Sequence, residues 1–407
     1  YGGFSNSTNA TGRIHKNHVV IRGGTIAGKV YGGAFGGAHA TGDVTHNTVT
    51  ITGGTLKKAV CGGSLEKADS TGNVAHNEVT VAGGVFRGDV YGGYTRRGGA
   101  LMGNIVTITG GELNSVYAAY SAGNVSEIKG NVVNLGDGKN EMKAGYRIAK
   151  YIFGASGGDR AAYADNTLNV KAKNSAEVAK VRNVQKFNFL LHDDTTKTAP
   201  LLNMTDADGF GKVSADNSDV KVAWANVTAD PSRITTAVDA ATVQGKNTYT
   251  LMRGANNALK FSDYVARYAV HGGVYETGLR TDTGTNTATE VLYEVNRFKD
   301  GRVTYTAAST GDALGGYSAF GNTTEGNKLT VEGVTGSLAA VYGAQTVGTA
   351  GGSVNNTVTL AGTGTGSVTN VYGGAITNAA NTGDVTGNTV TLTGGTVTGA
   401  VYGGYTN

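Results

Sequence analysis

The sequence predicts an all-β fold built as a parallel β-solenoid, and three observations predict it. Tyr1-Gly2-Gly3, Tyr31-Gly32-Gly33, Cys61-Gly62-Gly63 and Tyr91-Gly92-Gly93 recur at a step of 30 residues, and Tyr342, Tyr372 and Tyr402 recur at the same step near the other end. A fixed period of this length marks stacked, equivalent units. Within each unit, short stretches alternate apolar and polar residues with the period of a strand. Glycine is 66 of the 407 residues and proline only 2, which suits short strands joined by tight turns and excludes collagen and proline-rich linkers.

Residues 41–63 show the elements in order. Thr41-Gly42-Asp43-Val44-Thr45 is a first extended piece, and Asn47-Thr48-Val49-Thr50-Ile51-Thr52 is a second, closed by Gly53-Gly54. Ala59-Val60-Cys61 is a third, closed by Gly62-Gly63. In the second piece Val49 and Ile51 share one face, and Thr48, Thr50 and Thr52 share the other. Its pattern, Asn-x-(Val/Leu)-x-(Ile/Val/Leu), recurs at Asn17, Asn47, Asn77, Asn104, Asn131, Asn166, Asn327, Asn356 and Asn388. Each copy puts two aliphatic residues inward. One repeat of about 30 residues therefore reads as one coil of a three-sided β-solenoid, and a right-handed β-helix is the form expected, although the pattern itself does not set the hand. Each coil adds roughly 4.8 Å along the axis, the spacing of strands in a sheet. A coil cannot bury its inner face alone, so stacking supplies the core. The glycine pairs are expected at corners that need positive φ or close backbone approach.

The repeats are expected over 1–180, with a less regular β-rich section at 181–310 and renewed repeats over 311–407. The middle section holds Pro200, Pro231 and the single Trp, Trp224. Val184 to Leu191, Val220 to Trp224 and Thr248 to Met252 read as strands. Glu290–Asn296 and Arg302–Thr306 read as the arms of a hairpin, and a helical turn is conceivable at Asp263–Ala269. Wider coils of the same solenoid, carrying hairpins, are favoured over an inserted β domain.

Charge and cysteine content narrow the classes. The net charge of +4 is too small to imply nucleic acid. It is unevenly spread: residues 1–100 hold ten Lys and Arg against five Asp and Glu, whereas 311–407 hold one against four. The lone Cys61 precludes an intrachain disulfide. There is no apolar run of about 18 residues, and so no transmembrane helix is expected. The chain opens on Tyr in mid-repeat, which reads as an excised or processed piece.

The string Thr-Gly-(Asp/Asn)-Val-x-x-Asn-x-Val-Thr-(Ile/Val/Leu)-x-Gly-Gly, followed by Val-Tyr-Gly-Gly, is present at 41–63 (with Cys for Tyr), at 71–93 and at 383–404. It resembles the glycine-rich repeats of bacterial autotransporter passengers. Phe187–Leu191 followed by Ala199-Pro200-Leu201-Leu202 is similar to the passenger region downstream of such repeats. The resemblance implies a β-helical passenger secreted by a type V system and working in adhesion, aggregation and biofilm.

Several residues invite a functional reading and are weighed against a structural one. Asn17, Asn47, Asn77, Asn104 and Asn131 occupy one repeat position and are expected to stack as an amide ladder. Tyr31, Cys61, Tyr91 and Tyr117 form one column, and Tyr342, Tyr372 and Tyr402 another. They are expected to stabilise the stack, with sugar-ring contact as the functional alternative. His46 and His76 align one coil apart, with Lys16 in the equivalent place, and read as surface turn residues without a third metal ligand. Arg87-Gly88-Asp89 is the tripeptide that integrins read, but it falls at an ordinary turn of the repeat. Rows of Thr at 48/50/52 and 389/391/393 suggest an ice-binding face, which His18, Val20, Arg22, Glu78 and Ala82 interrupt. Asp193-Asp194 and Asp159-Arg160 are the nearest approaches to a hydrolase's acidic pair, and neither has an obvious partner.

No enzyme, cofactor or metal is expected. The expected protein is an extracellular, rod-shaped, non-enzymatic bacterial surface protein acting by distributed adhesive contact. Its partners would be surface glycans or proteins, or further copies of itself end to end in a filament, with neither nucleic acid nor membrane insertion. A β-helical carbohydrate-active enzyme is the remote alternative.

Overall fold

The computed structural model describes residues 1–192, 199–206, 222–230, 246–254, 259–306, 311–333, 335–362 and 366–407. The chain is all-β, and its coils stack in parallel as a β-solenoid of about 12 turns. Two compact units are formed. One comprises 1–230, 250–265 and 281–291, the other 231–249, 266–280 and 292–407.

In the first unit each repeat contributes to three parallel strand tracks. The first track is short and runs through Ile14–His15, Val44–Thr45, Val74–Ala75, Leu101–Met102, Ile128–Lys129 and Tyr163–Ala164. The second carries the Asn-led pattern. It passes from His18–Ile21 through Thr48–Ile51 to Glu78–Phe86, Ile105–Leu113, Val132–Leu135, Thr167–Val170, Lys186–Leu190 and Val227–Asp230. The third carries the Tyr-Gly-Gly strings, from Gly3–Ser5 through Val30–Phe35, Val60–Leu65 and Val90–Thr95 to Val116–Ser121. The other unit repeats this plan on Thr324–Glu325, Lys328–Glu332 and Ser337–Tyr342 and their neighbours.

Register follows from burial. Val49 pairs with Val79 and Ile51 with Ile21 and Val81, so aliphatic side chains fall in files along the axis. Val79, Val106, Val133, Leu168, Phe187 and Val227 continue one such file and are fully buried. Sliding one strand by a single residue would turn its whole apolar set outward, so the register is strongly fixed.

The two kinds of glycine pair do different work. Gly84 lies at φ +104°, in the region L side chains avoid, inside the strand Glu78–Phe86 where the register shifts between Ala82 and Val85. Gly93 has ordinary φ but lies over the amide file: a Cβ there would meet Asn104 Nδ2 at 2.6 Å.

The middle strands mostly continue the tracks, since Lys186–Leu190 pairs in parallel with Thr167–Val170 and Leu202–Met204 with Ala176–Arg182. Three local expectations are corrected. Glu290–Arg297 and Arg302–Tyr305 are strands but not arms of one hairpin: Arg302–Tyr305 pairs in parallel with Lys328–Glu332. Asp300, at φ +54°, is a coil corner, and the Gly301 N–H donates to Asn327 Oδ1. Of Val220 to Trp224, the first two residues lie outside the described ones. Val222 forms a single bridge to Phe261, and Trp224–Asn226 is a 3-10 turn. That turn buries the indole edge-on against Phe261 and Tyr264, while Asp263 Oδ1 accepts from the Trp224 N–H. Asp263–Ala269 is not helical: Arg267–His271 pairs antiparallel with Tyr275–Thr281 across Gly272-Gly273.

Candidate functional site

The amide file lies inside. Asn47, Asn77, Asn104, Asn131 and Asn166 are fully buried at the start of the second track. The Asn47 Nδ2 donates to Asn77 Oδ1 at 2.9 Å, and the Asn47 N–H donates to the same oxygen at 3.1 Å. Asn17 does likewise to Asn47, Asn77 to Asn104, Asn104 to Asn131, and Asn131 to Asn166. From Asn47 to Asn166 each Nδ2 also reaches a carbonyl of the preceding coil, as Asn104 does at Val74 O, so little hydrogen-bonding capacity is left over. Asn166 donates to Gln185 Oε1, whose longer arm lets the file cross a step of only 19 residues. Asn327, Asn356 and Asn388 make the same file in the other unit.

The residue before each Asn forms a corner in the left-handed region: Lys16, His46, His76, Gly103, Gly130 and Asp165, each at φ between 54° and 64°. His46 and His76 are exposed there, with ring centroids 5.2 Å apart. His18 bonds the Thr48 hydroxyl alongside them. Among the described residues, no group of three or more His, Cys, Asp or Glu is placed to hold a metal ion.

Tyrosines occupy the outer face of the third track. Tyr91 stacks on Tyr117 at 4.8 Å, and Tyr117 on Phe153 at 4.6 Å. A second file, Tyr94 on Tyr120 at 5.6 Å, meets the first edge-on. Tyr1 stacks on Tyr31, and Tyr342, Tyr372 and Tyr402 stack in turn. Rings stacked this way turn their faces to one another, and Tyr31 and Tyr342 are buried. Sugar contact on aromatic side chains needs free faces, so this geometry weighs against the tyrosine columns as sugar platforms. Burial pushes the Tyr117 and Tyr342 hydroxyls up to about 12, and carries Tyr31 and Tyr91 higher still.

Cys61 interrupts the first file, and a polar cluster fills the gap. Lys29 pairs with Glu66 at 2.9 Å, and the Ser64 hydroxyl donates to Glu66 at 2.6 Å. Burial opposes the Glu66 charge, yet the bonds from Ser64 and Lys29 hold its carboxyl below the usual range. The Cys61 thiol is buried beneath, and burial pushes its pKa up, which leaves it unreactive.

A second polar file, on the outside, was not foreseen. Asn134 Nδ2 donates to Thr107 Oγ1, Asn169 Nδ2 to Asn134 Oδ1, and Asn188 Nδ2 to Asn169 Oδ1, while the Thr228 hydroxyl closes onto Asn188 Oδ1. These bonds point toward lower residue numbers, opposite to the inner file. The signal was present as a second Asn three residues after the marker, at Asn131/Asn134 and Asn166/Asn169. The Thr face is thus continued by amides rather than by Thr.

The remaining candidates are local. Asp89 is held by Asn114 Nδ2 at 2.6 Å and the Ser115 N–H at 3.2 Å, so the tripeptide at 87–89 has its carboxylate engaged in the coil. Asp159 accepts from the Ala161 N–H in a turn of its own. Asp193 and Asp194 lie outside the described residues. Among the described residues, no helix is long and apolar enough to cross a membrane.

Fold and site together define the class: a parallel β-solenoid whose buried Asn file is bonded from coil to coil. No protein-family model, no curated protein and no solved structure matches the chain.

Proposed function

We propose that this chain is a non-enzymatic structural and adhesive segment of a bacterial surface protein, of the kind exported as an autotransporter passenger and held outside the cell. One observation carries the reading: inward positions repeat from coil to coil while outward positions change. At the equivalent outward places stand Val20, Thr50, Thr80, Thr107 and Asn134, above an unbroken amide file. A scaffold of this kind presents surface along its length rather than one reactive pocket. The Thr-Gly-(Asp/Asn)-Val and Val-Tyr-Gly-Gly strings support the passenger resemblance. The test is attachment of beads coated with the purified chain to bacterial and host cells. Attachment above that of beads coated with an unrelated β protein is expected; none to any cell type would end the reading.

A further inference from the structure

The corner between the second and third tracks of the first unit carries cations that the coil itself does not use. Thr25–Ile26, Thr55–Leu56 and Val85–Phe86 pair in register, so the residues that follow them, Ala27, Lys57 and Arg87, fall in one file. The Lys57 N–H donates to Ile26 O and the Arg87 N–H to Leu56 O, which holds that file in place. On the far side the Lys150 N–H donates to Asn114 O, bringing a further cation to the same corner. Lys57, Lys58, Arg87 and Lys150 are all exposed, and none takes part in an ion pair among the described residues.

Acidic neighbours do not cancel this charge. Asp89, two residues past Arg87, is engaged by Asn114 and Ser115, and its other oxygen faces the Tyr91 hydroxyl. Glu112 stands in register with Arg147, which lies beside it rather than in the cationic file. Lys29, by contrast, is exposed but paired with Glu66, and so is left out of the cationic file.

We infer that this corner binds a linear anionic polysaccharide, with Lys57, Lys58, Arg87 and Lys150 meeting successive sulfate or carboxylate groups; the inference rests on the adhesive reading above and names its partner. Lys57 and Arg87 lie in line on adjoining coils, roughly 4.8 Å apart, with Lys58 beside them and Lys150 on the coil beyond Asn114, and such a row matches a partner whose charges are also in a line. Arg and Lys bind such oxyanions by charge-assisted hydrogen bonds. Single-stranded nucleic acid fits less well. It needs free aromatic faces for its bases, and the adjoining Tyr91 and Tyr117 rings cover each other. A lipid surface fits less well too, because among the described residues no exposed large apolar side chain lies on this corner.

The test is retention on immobilised heparin, with single-stranded DNA and neutral dextran resins alongside. The parent chain is expected to be held by heparin, released by salt, and not held by dextran. The variant K57Q/K58Q/R87Q is expected to elute at lower salt. The slope of its log affinity against log salt should fall by about one per cation removed, as counterion release requires. The variant R13Q/K67Q/R97Q makes the same change in net charge elsewhere and is expected to behave as the parent. Failure of the parent to bind heparin overturns the inference, as does equal loss in both variants. Retention on DNA to equal or higher salt also overturns it, in favour of nucleic acid. Beads that still attach to cells without heparin binding would sink this inference alone, whereas heparin binding without any cell attachment would sink only the adhesive reading.

Discussion

Asn77 and Asn104 are hydrogen-bonded side chain to side chain at 3.1 Å across a sequence step of 27 residues, although the steps before Asn77 are 30. The coil shortens in its loops and keeps the amides in line. Replacing Asn104 by Ala would strip the acceptor from Asn77 and the donor from Val74 O, both buried. Orphaned groups of this kind cost ~1–3 kcal/mol each, so a loss of about 3 kcal/mol or more is expected in chemical denaturation. Asn169→Ala, in the half-exposed outer file, should lose about 1 kcal/mol, because water can replace its partners. Equal losses would mean that burial does not set the strength of these files.

The apolar files predict a cavity effect. Ile108 is fully buried in register with Val81 and Leu135. Ile108→Ala is expected to cost about 2–5 kcal/mol. Thr80→Ala, on the outward side of the same track, should stay within about 0.5 kcal/mol in the same denaturation assay.

Close approach and turn geometry make a third contrast. A Cβ at Gly93 would lie 2.6 Å from Asn104 Nδ2, whereas one at Gly23 meets nothing within 4 Å. Gly93→Ala should lower the melting temperature by several degrees, and Gly23→Ala should leave it nearly unchanged. Circular dichroism of the two variants decides it.

Alkaline pH should loosen the stack. Burial raises the folded-state pKa of Tyr117 and Tyr342 to about 12, above the unfolded value of about 10. Such a group favours folding while it is neutral in both states. That contribution is complete below about pH 10 and is lost as pH rises toward about 12. Melting temperature is expected to fall across this window, together with the growth of tyrosinate absorbance. Tyr117→Phe should blunt the fall, and an unchanged profile would show that these hydroxyls do not drive it.

Much of the fold was legible because the period was legible. Asn47, Asn77 and Asn104 each precede two inward aliphatic residues, and that arrangement specifies both a strand and its partner one repeat away. The outer amide file was missed because Asn134, Asn169 and Asn188 belong to coils of irregular length. Their alignment appears only once the loops between them have been taken up. The corner at Asp300-Gly301 was misread for a related reason: a left-handed residue between two strands serves a hairpin or a coil, and the local sequence is the same for both.

The sequence alone determined the coil: its inward aliphatics, its buried Asn, its paired glycines and the parallel stacking that these demand, since none of them is satisfied within a single repeat. Only the tertiary structure decided what faces what on the outside. Ring faces turn toward each other, Asp89 is engaged within its coil, and Lys57 and Arg87 align with no ion-pair partner among the described residues. Outward side chains are not held to one periodic pattern, so their neighbours are fixed by register across the stack rather than by position along the chain.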